Sequence, residues 1–364
     1  MLQTQSGDNK FFFDYIIIGQ GICGTFLSYY LYKAGKKILV IDDNAPSTPS
    51  KIASGIINPV TGRRVVSTWM IDELMQFAEK AYNEIGNCIG KNIISKKNII
   101  AFPASVQMRE AYNKRLAELN SFVHHYSANE SELHNYFNFV FGVVEIKPVL
   151  FIELFDLLLG WKRILQQQHF LLNEKFLDEH LVIEDDFVQY KNFKAGKFFF
   201  CNGVNAFLNP LWKNLPYIFN KGEALIVDIP QLLNKEIYKF GNSTLTPWND
   251  GLWWLGSSYE NEYETELPTA FFLEKKKAEL KAFLKSDFKI IDHFAALRPA
   301  VVERRPFAGF HPLHNNVGIL NGMGTKGCSL APYFANELVE NIINNQTLNP
   351  LVDVKRFLRA LSKL

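Results

Sequence analysis

Residues 13–42, FDYIIIGQGICGTFLSYYLYKAGKKILVID, decide how this chain begins to fold. Residues 13–18 are a short apolar run bounded by turn signals, the pattern of a strand buried on both faces. Gly19, Gly21 and Gly24 follow as GQGICG. Ile22, Phe26, Tyr30 and Ala34 then recur at helical spacing, and Gly35 stands where such a helix ends. A second apolar run, residues 37–41, closes on Asp42. Strand, glycine loop, helix and strand make one β-α-β unit.

In that setting the glycine spacing has a chemical meaning. Gly19 permits the tight turn, Gly21 lets a pyrophosphate reach the backbone, and Gly24 lets helix and strand pack closely. A helix opening at Ile22 turns free N–H groups, with roughly half a positive charge, toward that anion. Asp42, 23 residues after Gly19, is placed to accept hydrogen bonds from a ribose. Its charge argues against a ribose phosphate, and Asp43 beside it joins the candidate set.

Composition sets the bounds. Of 364 residues, 48% are hydrophobic and 21% charged, which suits a globular chain with a large core and excludes disorder as the dominant state. The net charge of +2 argues against a chain that coats nucleic acid or a membrane. Cys23, Cys88, Cys201 and Cys328 are scattered without a CxxC pair, so neither a disulfide framework nor a metal site is expected from spacing. His311 and His314 flank Pro312 and read as surface loop histidines rather than metal ligands. Without an export-signal pattern or a stretch of about 18 apolar residues, the expected compartment is cytoplasmic.

Further along, Ile71, Leu74, Met75, Ala78, Tyr82 and Ile85 predict an amphipathic helix ending at Gly86. Pro148 is read as restarting a helix, residues 176–200 as short strands, and the region from about 216 as longer strands. Asp250-Gly251 marks a hairpin there, and Trp253 and Trp254 should point to opposite faces. The Lys-rich segment 271–285 reads as a helix with a solvated charged face, and the terminal KRFLRALSKL as a solvated basic helix. Gly322, Gly324 and Gly327 lead into a helix from about Ser329, a second place where backbone must approach a ligand. A nicotinamide enzyme needs no such second site. A flavin enzyme does, because reduction leaves negative charge on the pyrimidine side of the ring, which a helix N-terminus stabilises.

Taken in order, these motifs resemble the FAD-dependent amine and D-amino-acid oxidoreductases, the group of glycine oxidase, sarcosine oxidase and D-amino-acid oxidase. The resemblance runs through DYIIIGQGICG with Asp42, Ala53-Ser54-Gly55, Phe200-Cys201-Asn202-Gly203 and Asn220-Lys221-Gly222-Glu223. It continues through TPWNDGLWWLGSSYE and LRPAVVERRPFAGFHP to NGMGTKGCSLAP. It implies an α/β fold, α+β overall. A Rossmann-like FAD-binding domain of residues 1–80, 146–215 and 295–364 would interleave with a substrate domain of residues 81–145 and 216–294, built on an antiparallel sheet with flanking helices. FAD would lie on Gly19, Gly21, Ile22, Gly24, Asp42, Asp43, Ser54, Gly55, Asn202 and Gly203, and on Gly322, Gly324, Thr325, Lys326 and Gly327.

The resemblance also implies that Arg298, in the LRP motif, binds a substrate carboxylate, with Thr325 and Lys326 facing flavin or substrate. The alternative for Arg298 is an internal carboxylate such as Glu303. The sequence departs from the group at Thr244-Leu245-Thr246-Pro247, where many relatives carry a tyrosine, and at Met323, where histidine is frequent. The implied activity is oxidation of a C–N bond in a small amine or amino acid, with hydride passing to flavin and oxygen as acceptor. Two other readings stay open: an enzyme acting on an aminomethyl-modified tRNA nucleoside, which predicts a basic stripe, and a flavin-binding protein without amine oxidase activity.

Overall fold

The computed structural model describes residues 11–118, 121–232 and 236–363. Contacts divide the chain into two compact units. One takes the residues up to Pro46, Leu158–Ile218 and those from Pro299; the other takes Ser47–Leu157 and Phe219–Arg298. Residues 47–80 and 146–157, assigned from sequence to the FAD-binding domain, lie in the second unit.

The first unit is built on a parallel sheet. His314–Asn321, Phe193–Phe200, Phe11–Ile18, Ile38–Ile41 and Leu171–Leu172 lie side by side in that order, every neighbour parallel. The apolar run of the opening strand is buried on both faces, with Ile16 and Ile17 wholly inaccessible. The helix Ile22–Lys33 is buried from Ile22 through Leu31, on every side rather than along one stripe. Ser28 Oγ accepts the indole N–H of Trp161 at 2.8 Å, and Tyr29 meets that ring edge-on.

His311 departs from its sequence reading. It ends the strand Phe307–His311, which pairs antiparallel with His314–Asn321, and it is fully buried with its ring 5.2 Å from that of Trp212. Pro312 therefore shapes a hairpin tip, and the histidine before it points inward.

The second unit holds a sheet in the order Lys289–Val301, Tyr217–Asp228, Trp253–Gly256, Ser243–Pro247, Ile237–Phe240, Ile94–Phe102, Val144–Ile152 and Ile56–Ile57. It is antiparallel through most of its pairings, with Ile237–Phe240 parallel to Ile94–Phe102. Alternation sorts its side chains. Leu225, Val227, Leu245, Trp253 and Leu255 face a core shared with Phe272, Leu280 and Phe283 of the helix Ala270–Phe283. Ala224, Ile226 and Trp254 occupy the other face, so the two tryptophans do part company.

Several sequence expectations change here. The amphipathic helix runs Ile71–Ile89, and Gly90, at φ 70°, caps it. Gly86 lies inside because a Cβ there would come 2.7 Å from the Lys91 carbonyl. Pro148 restarts no helix: it lies within Val144–Ile152, and the next helix is Leu154–Gln167. A bulge against Ile94–Phe102, between Lys97 and Ile99, accommodates a residue with no N–H to donate. Lys276 is buried, bonded to Ser243 Oγ at 2.7 Å and Glu279 Oε2 at 2.6 Å, so the charged face of that helix is not wholly solvated. Among the described residues no helix is long and apolar enough to cross a membrane.

Candidate active site

In the first unit, four of the sequence-predicted segments follow the carboxyl ends of neighbouring parallel strands. Gly19 follows Ile18, Asp42 follows Ile41, Asn202-Gly203 lie just past Phe200, and Gly322 follows Asn321. Ligands of open α/β sheets bind at this end. The loops are close enough to exclude side chains. A Cβ on Gly19 would lie 2.8 Å from Asn202 Cα, and one on Gly24 only 1.8 Å from the Gly19 carbonyl oxygen.

Asp42 is held by backbone donors: Gln20 N–H reaches Oδ2 and Asn44 N–H reaches Oδ1, both at 2.8 Å. At Gly21 no side chain caps the helix Ile22–Lys33. The helix Gly327–Asn344 begins two residues earlier than the sequence suggested and likewise has no side-chain cap at Lys326. The two helices pack together, Gly327 sitting where a Cβ would be 3.3 Å from Ile22. Thr325 is exposed and Lys326 half-buried.

Asn321 was missed from sequence. Its Nδ2 donates to the Gly203 carbonyl at 2.9 Å and its Oδ1 accepts from Gly322 N–H at 2.8 Å, tying two of the glycine loops together. A polar residue closing a buried strand is the signal that could have found it.

Ser54 and Gly55 belong to the second unit. Gly55, at φ +76°, lies against Val144–Ile152: a Cβ would meet the Ile152 carbonyl at 2.1 Å, and the Gly55 carbonyl accepts from Ile152 N–H at 2.9 Å.

Arg298 is also in this unit, on Lys289–Val301, with its guanidinium laid over Gly222 of the adjacent strand. A Cβ on Gly222 would come 1.8 Å from Nη2 and 2.0 Å from Cζ. Nη1 donates to Asn220 Oδ1 at 2.8 Å and to the Ser258 carbonyl at 3.1 Å. Burial lowers its pKa to about 10, against the pull of Tyr259 and Glu260, so the group is charged at neutral pH. Among the described residues no carboxylate pairs with it. Glu303 pairs instead with Arg356 at 3.5 Å, and Arg356 rests over Phe307 and Phe357, so the terminal basic segment is anchored rather than free.

Lys221 and Glu223, on either side of Gly222, are fully buried and paired at 3.0 Å. Glu223 also accepts from Thr269 N–H at 2.7 Å and Thr269 Oγ1 at 2.8 Å, and its Oε2 lies 2.8 Å from His293 Nε2. Burial alone would push the Glu223 carboxyl up, but these donors outweigh it and hold the pKa below its ordinary value. Burial pushes His293 the other way, down, despite the carboxylate beside it.

On the face opposite the main core, Trp254 Nε1 donates to the Ile52 carbonyl at 2.9 Å. Thr246 pairs across the strands with Trp254, and its hydroxyl is buried with no hydrogen-bond partner among the described residues. Arg63 and Arg64 are exposed. Among the described residues, no three His, Cys, Asp or Glu side chains gather as a metal site would need.

Strand-end glycine loops, an oriented carboxylate and helix N-termini without side-chain caps define a Rossmann-like dinucleotide-binding protein. The family model described as FAD dependent oxidoreductase matches residues 14–341, and the chain belongs to that family. It is an enzyme, and FAD is its cofactor. The first unit fits that group: Asn202 Oδ1, beside the Gly19 turn, is buried with no hydrogen-bond partner among the described residues, as a ligand-facing acceptor would be.

Solved structures of similar fold include iminodiacetate oxidase from Chelativorans sp., with a TM-score of 0.75 and 16% identity over 93% of this chain and 97% of that one. Glycine oxidase from Bacillus cereus has a TM-score of 0.78 and 15% identity over 92% and 96% of the two chains. L-proline dehydrogenase from P. horikoshii has a TM-score of 0.74 and 16% identity over 96% and 98%.

Proposed function

We propose that this flavoenzyme oxidises the C–N bond of a small amine bearing a carboxylate, and that Arg298 holds the carboxylate. The observation that carries this is the state of Arg298, a guanidinium engaged by two neutral oxygens and by no carboxylate among the described residues. Glu260 acts on this half-buried cation only through space, and a ligand carboxylate supplies the directly bonded partner it lacks among the described residues. Each charge-assisted hydrogen bond so formed contributes about 1.5–3 kcal/mol. Iminodiacetate, glycine and L-proline, in the names of the structural neighbours, each place an amine and a carboxylate on one small molecule.

Bound FAD supplies a two-electron acceptor for the hydride leaving the carbon next to nitrogen. The chain positions the two reactants. Gly19, Gly21, Ile22 and Gly24 receive the pyrophosphate, Asp42 and Asp43 the ribose, and Asn202 and Gly203 close the same strand ends. Gly322, Gly324, Thr325, Lys326 and Gly327 present a second helix N-terminus to negative charge. Arg298 fixes the substrate's carboxylate end and so orients its C–H bond. A neutral amine that gives up hydride is left as an iminium cation, which water hydrolyses to the carbonyl compound and an ammonium ion, so the step needs no strong side-chain base. Oxygen is the proposed final acceptor, yielding peroxide.

An anaerobic panel of glycine, N-methyl amino acids and D-amino acids tests this through bleaching of the flavin band. At least one carboxylate-bearing amine should reduce the wild type and fail to reduce Arg298→Ala at a comparable rate. A panel that leaves the flavin oxidised, or a variant reduced as fast as wild type, refutes it.

A further inference from the structure

We propose that Asn220 is a positioning and specificity residue: it holds Arg298 in place with a neutral acceptor, so the guanidinium keeps its full charge for a substrate carboxylate. This rests on Arg298 being the substrate anchor. Asn220 is fully buried and lies two residues before Gly222 on Tyr217–Asp228, so both face the same side of the sheet. Its Oδ1 accepts from Arg298 Nη1 at 2.8 Å, while its Nδ2 donates to Asn261 Oδ1 at 2.9 Å. The second bond fixes the amide with its oxygen toward the arginine.

With the Ser258 carbonyl taking a second Nη1 proton, that nitrogen is fully engaged. The other edge of the guanidinium, Nη2 and Nε, makes no hydrogen bond among the described residues, and it is the edge that a carboxylate grips bidentately. An aspartate at position 220 would hold the arginine equally well but turn it into an internal ion pair. The neutral amide therefore separates two jobs that a carboxylate would merge, holding the group and cancelling its charge.

The test compares benzoate with benzamide, near-isosteres that differ in charge and carry no oxidisable amine, binding to FAD-loaded wild type, Asn220→Asp and Arg298→Gln by calorimetry. Asn220→Asp should weaken benzoate at least tenfold and leave benzamide within twofold. If it binds benzoate like wild type while Arg298→Gln loses it, the positioning role of Asn220 is wrong and the anchor stands. Equal benzoate affinity in wild type and Arg298→Gln, or none in wild type, overturns the anchor and this proposal with it. Should Asn220→Asp not accumulate as a folded flavoprotein, Asn220→Ser decides on the same split. A several-fold loss confined to benzoate supports the proposal; an equal change in both ligands, or none, overturns it.

Discussion

Gly222→Ala should disable substrate anchoring while leaving the fold in place. The position needs no glycine for its backbone, since Gly222 is not among the residues with positive φ. It needs one because the Arg298 guanidinium occupies the space of a side chain, with Nη2 1.8 Å and Cζ 2.0 Å from where a Cβ would stand. An ordinary carbon contact is about 3.5–4.0 Å, so the methyl must push the head group aside by more than about 1.5 Å. The guanidinium is the end of a flexible side chain and can move, which protects the fold. Its bonds to Asn220 and Ser258 cannot survive the move at 2.8 and 3.1 Å.

Leaving Asn220 Oδ1 buried and unpaired costs about 1–3 kcal/mol of stability. A displacement of that size at an anchoring group costs about a hundredfold in rate. The assay is kcat/KM on whichever carboxylate-bearing amine bleaches the flavin, beside the same amine as its neutral amide, with FAD content and melting temperature as controls. The expected result is a loss of about a hundredfold on the acid and less than about threefold on the amide, at full FAD content. Undiminished kcat/KM on the acid refutes the reasoning, because an arginine displaced without consequence anchors nothing.

Gly24→Ala places its Cβ 1.8 Å from a backbone oxygen, Gly19 O, which cannot swing away. Overpacking of about 1–3 kcal/mol at the dinucleotide turn should leave purified protein with less than half its FAD by visible absorbance, and full loading would contradict this. His311 is buried with its pKa lowered to about 4, chiefly by burial and then by His314, so the unfolded chain binds that proton more tightly. Unfolding free energy should therefore fall as pH drops from about 6.5 toward 4, by about 3 kcal/mol in all, and His311→Asn should flatten that limb of denaturant midpoint against pH. Lys276→Met strips Ser243 and Glu279 of their shared donor and should cost about 1–3 kcal/mol in urea unfolding, whereas a merely solvated lysine would cost nothing measurable.

The β-α-β opening was legible because its signals are local: two apolar runs, a glycine turn and a helical period within thirty residues. Elsewhere the same residue types serve other ends. Gly86 looked like a helix stop, but it is there for lack of room, and the stop falls at Gly90. Pro148 before an apolar run looked like a helix start, but a bulge lets a strand carry it. Lys276 was hidden inside a charge run, although Phe272, Lys276, Leu280 and Phe283 form one helical stripe that points it at the core. In each case the deciding partner is distant in sequence or is a packing constraint, and neither leaves a trace in local composition.

The site divides in the same way. Arg298 was marked by the LRP motif, but what tells an anchor from an internal ion pair is the partner, and its partners stand 78 and 40 residues away at Asn220 and Ser258. Alternation predicted that Trp253 and Trp254 part, yet which face is the core depends on register. The pairing of Ala224 with Gly256 and of Ile226 with Trp254 settles that. Slipping the Tyr217–Asp228 strand by one residue would carry Asn220 and Gly222 to the core side and bring Lys221 and Glu223 to Arg298. Arg298 would then lie beside a carboxylate instead of an amide, and its charge would be cancelled within the chain. What leaves this arginine bonded to an amide and a backbone carbonyl rather than to a carboxylate is thus strand register, which residue types alone do not encode.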